Sequence, residues 1–399
     1  MTERRIHVRD HDGHESDRNE VIYEMSFVRG VEVGQYVRDY APPPRIVAHL
    51  YKLIAAFLHE KVHSHDRAPA PAPGNTLEEQ YFRKIEDRLD LSRRTAPRTF
   101  NTAFLDSETI TINGRRYRNY RRLLAEFRSH RNFLDSLEPR FHALVVGDTN
   151  TENIKIGNLA PLVRAQDALN SHTRAADIER AIGAITAETI ELKFLDPRAI
   201  GYRSEGASTR DDPMYDNKPW HNSVGHYDEL HNELFDLDVS TGRDGTPQVT
   251  ITFHPDNPYQ RAYAVRDLTE HRGAVNPDAP TGVEDHFAAV MSSVYRLDSP
   301  GSSQYRDDPH WITRFVFMMG THFTAMPPFH FKSEIEGTIV DAPEVQRRPI
   351  AIYCEGIKWL NWALEMLEGT RPDFLGIPVP TPSSIQADDS HPVPAEVIM

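Results

Sequence analysis

Two proline-rich stretches, APPP at 41–44 and RAPAPAPG at 67–74, enclose the segment that most restricts this chain's fold. Between them Ile46, Val47, Leu50, Leu53, Ile54, Phe57 and Leu58 recur at three- and four-residue spacing. That period gathers the apolar side chains on one face of a helix. Pro44 suits the first turn, where the missing N–H leaves no hydrogen bond unmade. The pattern predicts a buried helix over 44–62, which needs a large apolar partner surface. The second proline stretch predicts a stiff, solvated linker.

Other periodic segments extend this outline. RIHV and EVIYEMSFV predict two strands around the polar turn RDHDGHESDRN. A helical region starts near Thr76, and ETITINGRRYRN predicts a hairpin bent at Asn113 and Gly114. Helices are expected over 119–136 and over 173–186, where Ile178, Ile182 and Ile185 share a face. ETIELKFLDP alternates as a strand ending at Asp196, and TPQVTITFHP predicts another. Two long apolar segments, ITRFVFMMGTHFTAM and RRPIAIYCEGIKWLNWALEMLEG, make the C-terminal half mainly helical. The tail from Gly376 is proline-rich and expected to be extended or disordered.

Composition excludes several classes of function. No run reaches the ~18 to 20 apolar residues of a membrane span, so no membrane partner is expected. The N-terminal stretch lacks the apolar core of a signal peptide. A single cysteine, Cys354, permits no internal disulfide and points to a reducing, cytoplasmic setting. The formal charge of −14 leaves no basic surplus for a phosphate backbone, so nucleic acid is not an expected partner. The 20 histidines come with no C-x-x-C or H-E-x-x-H pattern, which favours packing and hydrogen bonding over metal ligation.

The chemistry-bearing candidate is LVVGDTNTENIKI at 144–156, which sets Asp148 five positions before Asn153 between two apolar stretches. Taken alone, this spacing favours an ordinary polar turn, since Asp and Asn abound in turns. Asp196 before Pro197 is likewise a common turn starter. Phosphoryl transfer, however, needs such a set: a carboxylate to orient an acceptor hydroxyl, and oxygen ligands to hold Mg²⁺. Asp148 supplies the first from a loop leaving a strand, and Asn153 and Asp196 supply the second.

GDTNTENIKI, LKFLDPRAIG and DDPMYDNKPWHNSVGHYDELHNELF follow one another in an order that resembles the aminoglycoside phosphotransferase and choline kinase-like family. The likeness runs through Asp196-Pro197-Arg198, Asp212-Pro213-Met214-Tyr215-Asp216 and His221-Asn222-Ser223. YEMSFVRGVEVGQYV resembles the inter-lobe hinge, and GTHFTAMPPFH a C-terminal helix and turn. The resemblance covers the chain discontinuously from about Tyr23 to Leu367. It implies an α+β, protein-kinase-like fold, a mainly helical C-lobe with a truncated N-terminal β-lobe. It implies vestigial strands and hinge over 1–40, a helical lobe over 41–375 with an insertion near 157–189, and a tail over 376–399. By position, Asp148 matches the catalytic base, and Asn153 and Asp196 match the Mg²⁺ ligands beside ATP. Asp216 matches a carboxylate that braces the loop, although a helix N-cap reads equally well. Arg198 pairs with a carboxylate or faces substrate, and His221 lies near the cleft.

Two departures from the family stand out. Val146 occupies the position of a loop-supporting histidine. About twenty residues precede the hinge-like segment, with no Gly-rich loop and no lysine before Lys52, so half of the nucleotide clamp is missing. Three readings follow. The chain is a kinase that phosphorylates a hydroxyl of a small metabolite, its lobe completed by a second chain or by self-association. It is a kinase-derived enzyme with other chemistry in the same pocket. Or it is a ligand-binding pseudokinase. Keeping Asp148, Asn153 and Asp196 together weighs against the last, because polar groups held in a cleft are costly unless something binds them.

The remaining candidates read as structural. His221, His226 and His231 are five apart and rotate off one helical face. Prolines separate His322 from His330. Trp359 and Trp362 read as core, Cys354 as an inert thiol, and the basic cluster Arg115–Arg122 as a solvated helix start.

Overall fold

A glycine contact between two helices marks the centre of the molecule. The helix Trp311–Thr324 is buried along its whole length, and the C-terminal helix Arg347–Leu367 is buried on most of its surface. They approach so closely that a Cβ on Gly320 would lie 2.7 Å from the backbone nitrogen of Leu360, and one on Gly356 2.5 Å from that of Thr324. Trp359 and Trp362 are both fully buried, with ring centroids 5.1 Å apart. Cys354 lies in the same core, where burial pushes its thiol well above the ordinary value, so it is inert.

The computed structural model describes residues 2–9, 15–22, 28–64, 70–171, 174–197, 210–264, 287, 290–291, 308–334 and 337–380. Within these the chain is α+β, mostly helical, with sheets of two to four strands. No helix among the described residues is long and apolar enough to cross a membrane. The segment expected to be one helix over 44–62 is α-helical from Pro44 to Phe57 and widens to a π-helix over Leu58–His63. Its Ile46, Val47, Leu50 and Ile54 are buried, as the spacing predicts.

Several elements differ from the sequence expectation. The strand pair at the start is Thr2–Arg9 with Glu15–Ile22, so part of the anticipated polar turn is itself strand. The proline stretch is not purely a linker: Ala70–Pro71 pairs with Phe141–His142, and residues 65–69 lie outside the described ones. The stretch 119–136 breaks at His130 into helices Tyr120–Ser129 and Arg131–Leu137. The strand before Asp196 spans only Leu192–Phe194, because Ile190 belongs to the preceding turn and Glu191 takes a left-handed backbone (φ +51°). A helix at Ala160–Asn170, opened by Pro161, adds to the one at Ala175–Gly183. In the tail, Ile377–Pro378 pairs back onto Asp373–Phe374, and residues 381–399 are not described. The hairpin at Asn113 and Gly114 forms as expected, both residues having positive φ.

What positions the site is a small antiparallel sheet in which Ile154–Ile156 lies between Val31–Glu32 and Leu192–Phe194. It anchors the end of the 148–153 loop, while the strand Phe141–Leu144 of a separate sheet anchors its start, and Asp196 lies just past the edge strand Leu192–Phe194.

Because a Cβ on Gly356 would meet the Thr324 backbone as well as its hydroxyl, Gly356→Ala should destabilise the protein by about 1–3 kcal/mol. Gly183→Ala, at a helical position with open space around it, should be neutral or stabilising by up to about 1 kcal/mol. Urea unfolding of the two variants checks the difference.

Candidate functional site

Asp216 is fully buried, and its carboxylate organises the loop that holds Asp148. It accepts the backbone N–H of Val146 at 2.8 Å and of Gly147 at 2.7 Å. Gly147 sits at φ +84°, a conformation that turns consecutive amides toward one acceptor and that a residue with a Cβ rarely adopts. The hydroxyl of Thr149 donates to the Asp216 carbonyl at 2.7 Å. Asp216 therefore braces the loop; the following helix is capped at Asn217, without a side-chain cap bond, so the N-cap reading does not apply. An imidazole also supports this carboxylate. His63, at the end of the π-helical turn, places Nε2 3.0 Å from Asp216 Oδ2.

Beyond the brace, the loop is fastened along its length. Asn150 Oδ1 accepts the N–H groups of Glu152 and Asn153 at 3.0 and 3.1 Å, while the Thr151 N–H donates to Asn222 Oδ1 at 3.2 Å. Gly34 presses against Thr151: a Cβ there would lie 2.9 Å from its hydroxyl oxygen. The loop is thus clamped between the helix Val33–Tyr40 and the helix Lys218–Ser223.

Asp148 is only partly exposed and points into a polar setting. Lys218 Nζ donates to its Oδ1 at 2.8 Å and to the Gly147 carbonyl at 3.2 Å. Asn150 Nδ2 donates to the same Oδ1 at 3.2 Å. Asn153 donates its side-chain N–H to the Asp148 carbonyl at 3.0 Å, which leaves its Oδ1, and not its nitrogen, to a cation. The Leu195 N–H donates to the Asn153 carbonyl at 2.8 Å, so Asp196 follows directly from the residue bonded to Asn153. Asp196 is exposed, in a left-handed backbone at φ +50°. The backbone bond from Leu195 thus sets the segment bearing Asp196 alongside the loop bearing Asp148 and Asn153. Arg198 lies outside the described residues.

Oxygen donors from one amide and one carboxylate fit Mg²⁺, which takes one or two protein ligands and fills its shell with water and phosphate. No group of three or more His, Cys, Asp or Glu converges as a metal site among the described residues.

The other sequence candidates disperse. His221 is buried against Phe323 with ring centroids 3.9 Å apart, His226 pairs with Glu229 at 2.6 Å, and His231 approaches Glu152 at 3.3 Å. His322 stacks edge-on to Tyr215, with centroids 4.2 Å apart, and His330 Nε2 lies 3.5 Å from the Tyr227 hydroxyl. The basic cluster begins as the strand Arg115–Arg118, and its arginines are spent on ion pairs: Arg115 with Glu365, Arg118 with Glu368 and Arg121 with Asp106. Lys218 went unnoticed in sequence, 70 positions from Asp148, because nothing in NKPWHNS distinguishes it from a surface lysine.

A cavity of about 330 Å³ opens beside the loop, lined by Glu32, Arg38, Glu152, Asp228, His231 and Tyr259 among others. Asp228 is buried there and accepts hydrogen bonds from Asn222 at 2.6 Å and Tyr263 at 2.5 Å. Burial nevertheless outweighs these bonds and pushes its carboxyl up to about 7.

A carboxyl whose folded value lies above its unfolded value of about 3.9 stabilises the protein below that pH and loses the contribution as pH rises. Relative to Asp228→Asn, the native protein should lose stability between about pH 4 and pH 7, by about 1.4 kcal/mol per unit, and level off above. Chemical denaturation across that range checks it. Asp216→Ala would strand two buried backbone N–H groups and should cost about 2–5 kcal/mol, read by the same method.

Comparison with protein-family models, with curated proteins and with solved structures finds no match to this chain, so what the site does has to be argued from its own geometry.

Proposed function

We propose that this chain is a protein-kinase-like phosphotransferase that moves the terminal phosphoryl group of ATP to a hydroxyl of a small metabolite, sugar or antibiotic-like compound. The observation that carries the reading is the single hydrogen bond from Leu195 to Asn153. It joins the loop bearing Asp148 and Asn153 to the strand end bearing Asp196, which supports a base and two cation ligands acting at one place.

The roles follow from chemistry. Asp148, held by Lys218 and by its braced loop, accepts a hydrogen bond from the acceptor hydroxyl, orients its oxygen and takes up its proton. Asn153 Oδ1 and the Asp196 carboxylate would hold Mg²⁺, which when bound neutralises phosphate charge. Lys218 keeps Asp148 from rotating and adds positive potential beside the transferred group. Catalysis of this kind consists mainly of positioning and electrostatics, which suits a loop fixed at both ends. The cavity beside Glu152, whose lining includes neither Asp148 nor Asp196, has the volume for a small ligand. Nucleic acid and membrane play no part in this reading, and the single cysteine fits a cytoplasmic protein.

Thermal unfolding with Mg²⁺ and ATP is the test. A ligand at a hundred times its Kd stabilises by about 2.7 kcal/mol, so Mg-ATP at millimolar concentration should raise Tm by several degrees. The rise should shrink without Mg²⁺ or in Asp196→Asn. ATP turnover in Asp148→Asn should fall by about 10²-fold or more. The absence of any shift with Mg-ATP would refute the phosphotransferase reading and favour the same pocket doing other chemistry.

A further inference from the structure

Next to Asp148 is a cluster of polar side chains of which only Lys218 has a role in the catalysis described above. Lys84, from the helix Arg83–Thr95, donates to the Tyr215 hydroxyl at 2.6 Å, and its Nζ lies 4.7 Å from the centre of the phenol ring. Lys218 Nζ lies 4.8 Å from the same centre. Two ammonium groups thus share one buried aromatic ring. His322 packs against that ring, and His221 is 6.1 Å from His322, centroid to centroid. Both imidazoles are buried, with exposures of 3% for His221 and 4% for His322. Neither ring nitrogen of His221, nor Nε2 of His322, has a hydrogen-bond partner among the described residues.

Burial, reinforced by the charge of Lys218, holds both imidazoles well below their ordinary values, so each is neutral and carries one N–H. Tyr215 accepts from Lys84, which leaves its own O–H to donate. Burial raises the phenol, but the charges of Lys84 and Lys218 outweigh it and leave it below its usual value. The carboxylates that answer this charge are Asp148, bonded to Lys218, and Asp211, which feels Lys84 but is itself pushed up to about 6 by burial. The cluster sets two ammonium groups and the imidazole N–H groups against one ionised neighbour, Asp148, and the acceptor nitrogen of each neutral imidazole, so its net charge is positive. Unmet buried donors are expensive, and two ammonium groups repel a metal cation, so the complementary ligand is an oxyanion.

We propose that Lys84, Lys218, Tyr215, His221 and His322 form a binding site for a phosphate-like oxyanion next to Asp148. This rests on the phosphotransferase reading only for the origin of the anion, which arrives either on the nucleotide or on a phosphorylated or acidic acceptor.

Titration calorimetry with inorganic phosphate alone, without Mg²⁺ or ATP, tests the site separately from the phosphotransferase reading. The wild-type protein and Asp196→Asn should bind phosphate equally well. Lys84→Gln should weaken binding about tenfold or more, as expected for loss of a charge-assisted bond, while Lys84→Arg keeps most of it. Circular dichroism of the Lys84 variants establishes that they are folded. Repeating the titration at saturating Mg-ATP identifies the source: abolished phosphate binding assigns the site to the nucleotide's phosphate, and unchanged binding assigns it to the acceptor. Failure of the wild-type protein to bind at high-millimolar phosphate, or full affinity in folded Lys84→Gln, would overturn the proposal.

Discussion

The buried carboxylate of Asp216 is the interaction on which the arrangement depends. A charge at full burial has to be answered by donors, and this one is answered by two consecutive backbone amides and an imidazole. Meeting that demand fixes Gly147 in a left-handed conformation and leaves the next residue, Asp148, at a defined place. The donors are drawn from distant parts of the chain, with His63 153 positions from Asp216 and Val146 70 positions away. One electrostatic requirement therefore joins the long N-terminal helix, the loop and the short helix after Asp216.

A second requirement comes from hydrogen bonding along the loop. Asn150, Asn153 and Asn222 each satisfy backbone groups that a tight turn would leave unmet. The three asparagines act as internal struts, and the cost of ordering the loop is met before any ligand arrives. Such a loop positions a carboxylate without having to close on its substrate, in keeping with a reaction that relies on positioning.

How much of this was legible in the sequence differs from element to element. The helix from Pro44 was legible because seven apolar residues keep one period, and the bend at Asn113 because Asn-Gly supplies both positive-φ residues. Asp148, Asn153 and Asp196 were legible only as an ordered set, since each alone is a turn residue. Two elements went unread although signals existed: Pro161 opens a helix, and the strand Phe235–Thr241 alternates Phe, Leu and Val with acidic and hydroxyl residues. The strand at Ala70–Pro71 was hidden because proline content argues for a linker, while an edge position tolerates Pro. His63, Lys84 and Lys218 were not legible at all. Their roles exist only through partners 70 to 153 residues away, and no local pattern marks a lysine that will lie on a buried phenol.

The central claim is that Asn153 and Asp196 share a divalent cation next to Asp148. Crystals grown with Mn²⁺ and a non-hydrolysable ATP analogue test it directly through the anomalous signal of the metal. The account predicts a peak within about 2.0–2.3 Å of both the Asn153 Oδ1 and an Asp196 carboxylate oxygen. A metal–nucleotide peak bound elsewhere, with these two side chains uninvolved, would contradict it.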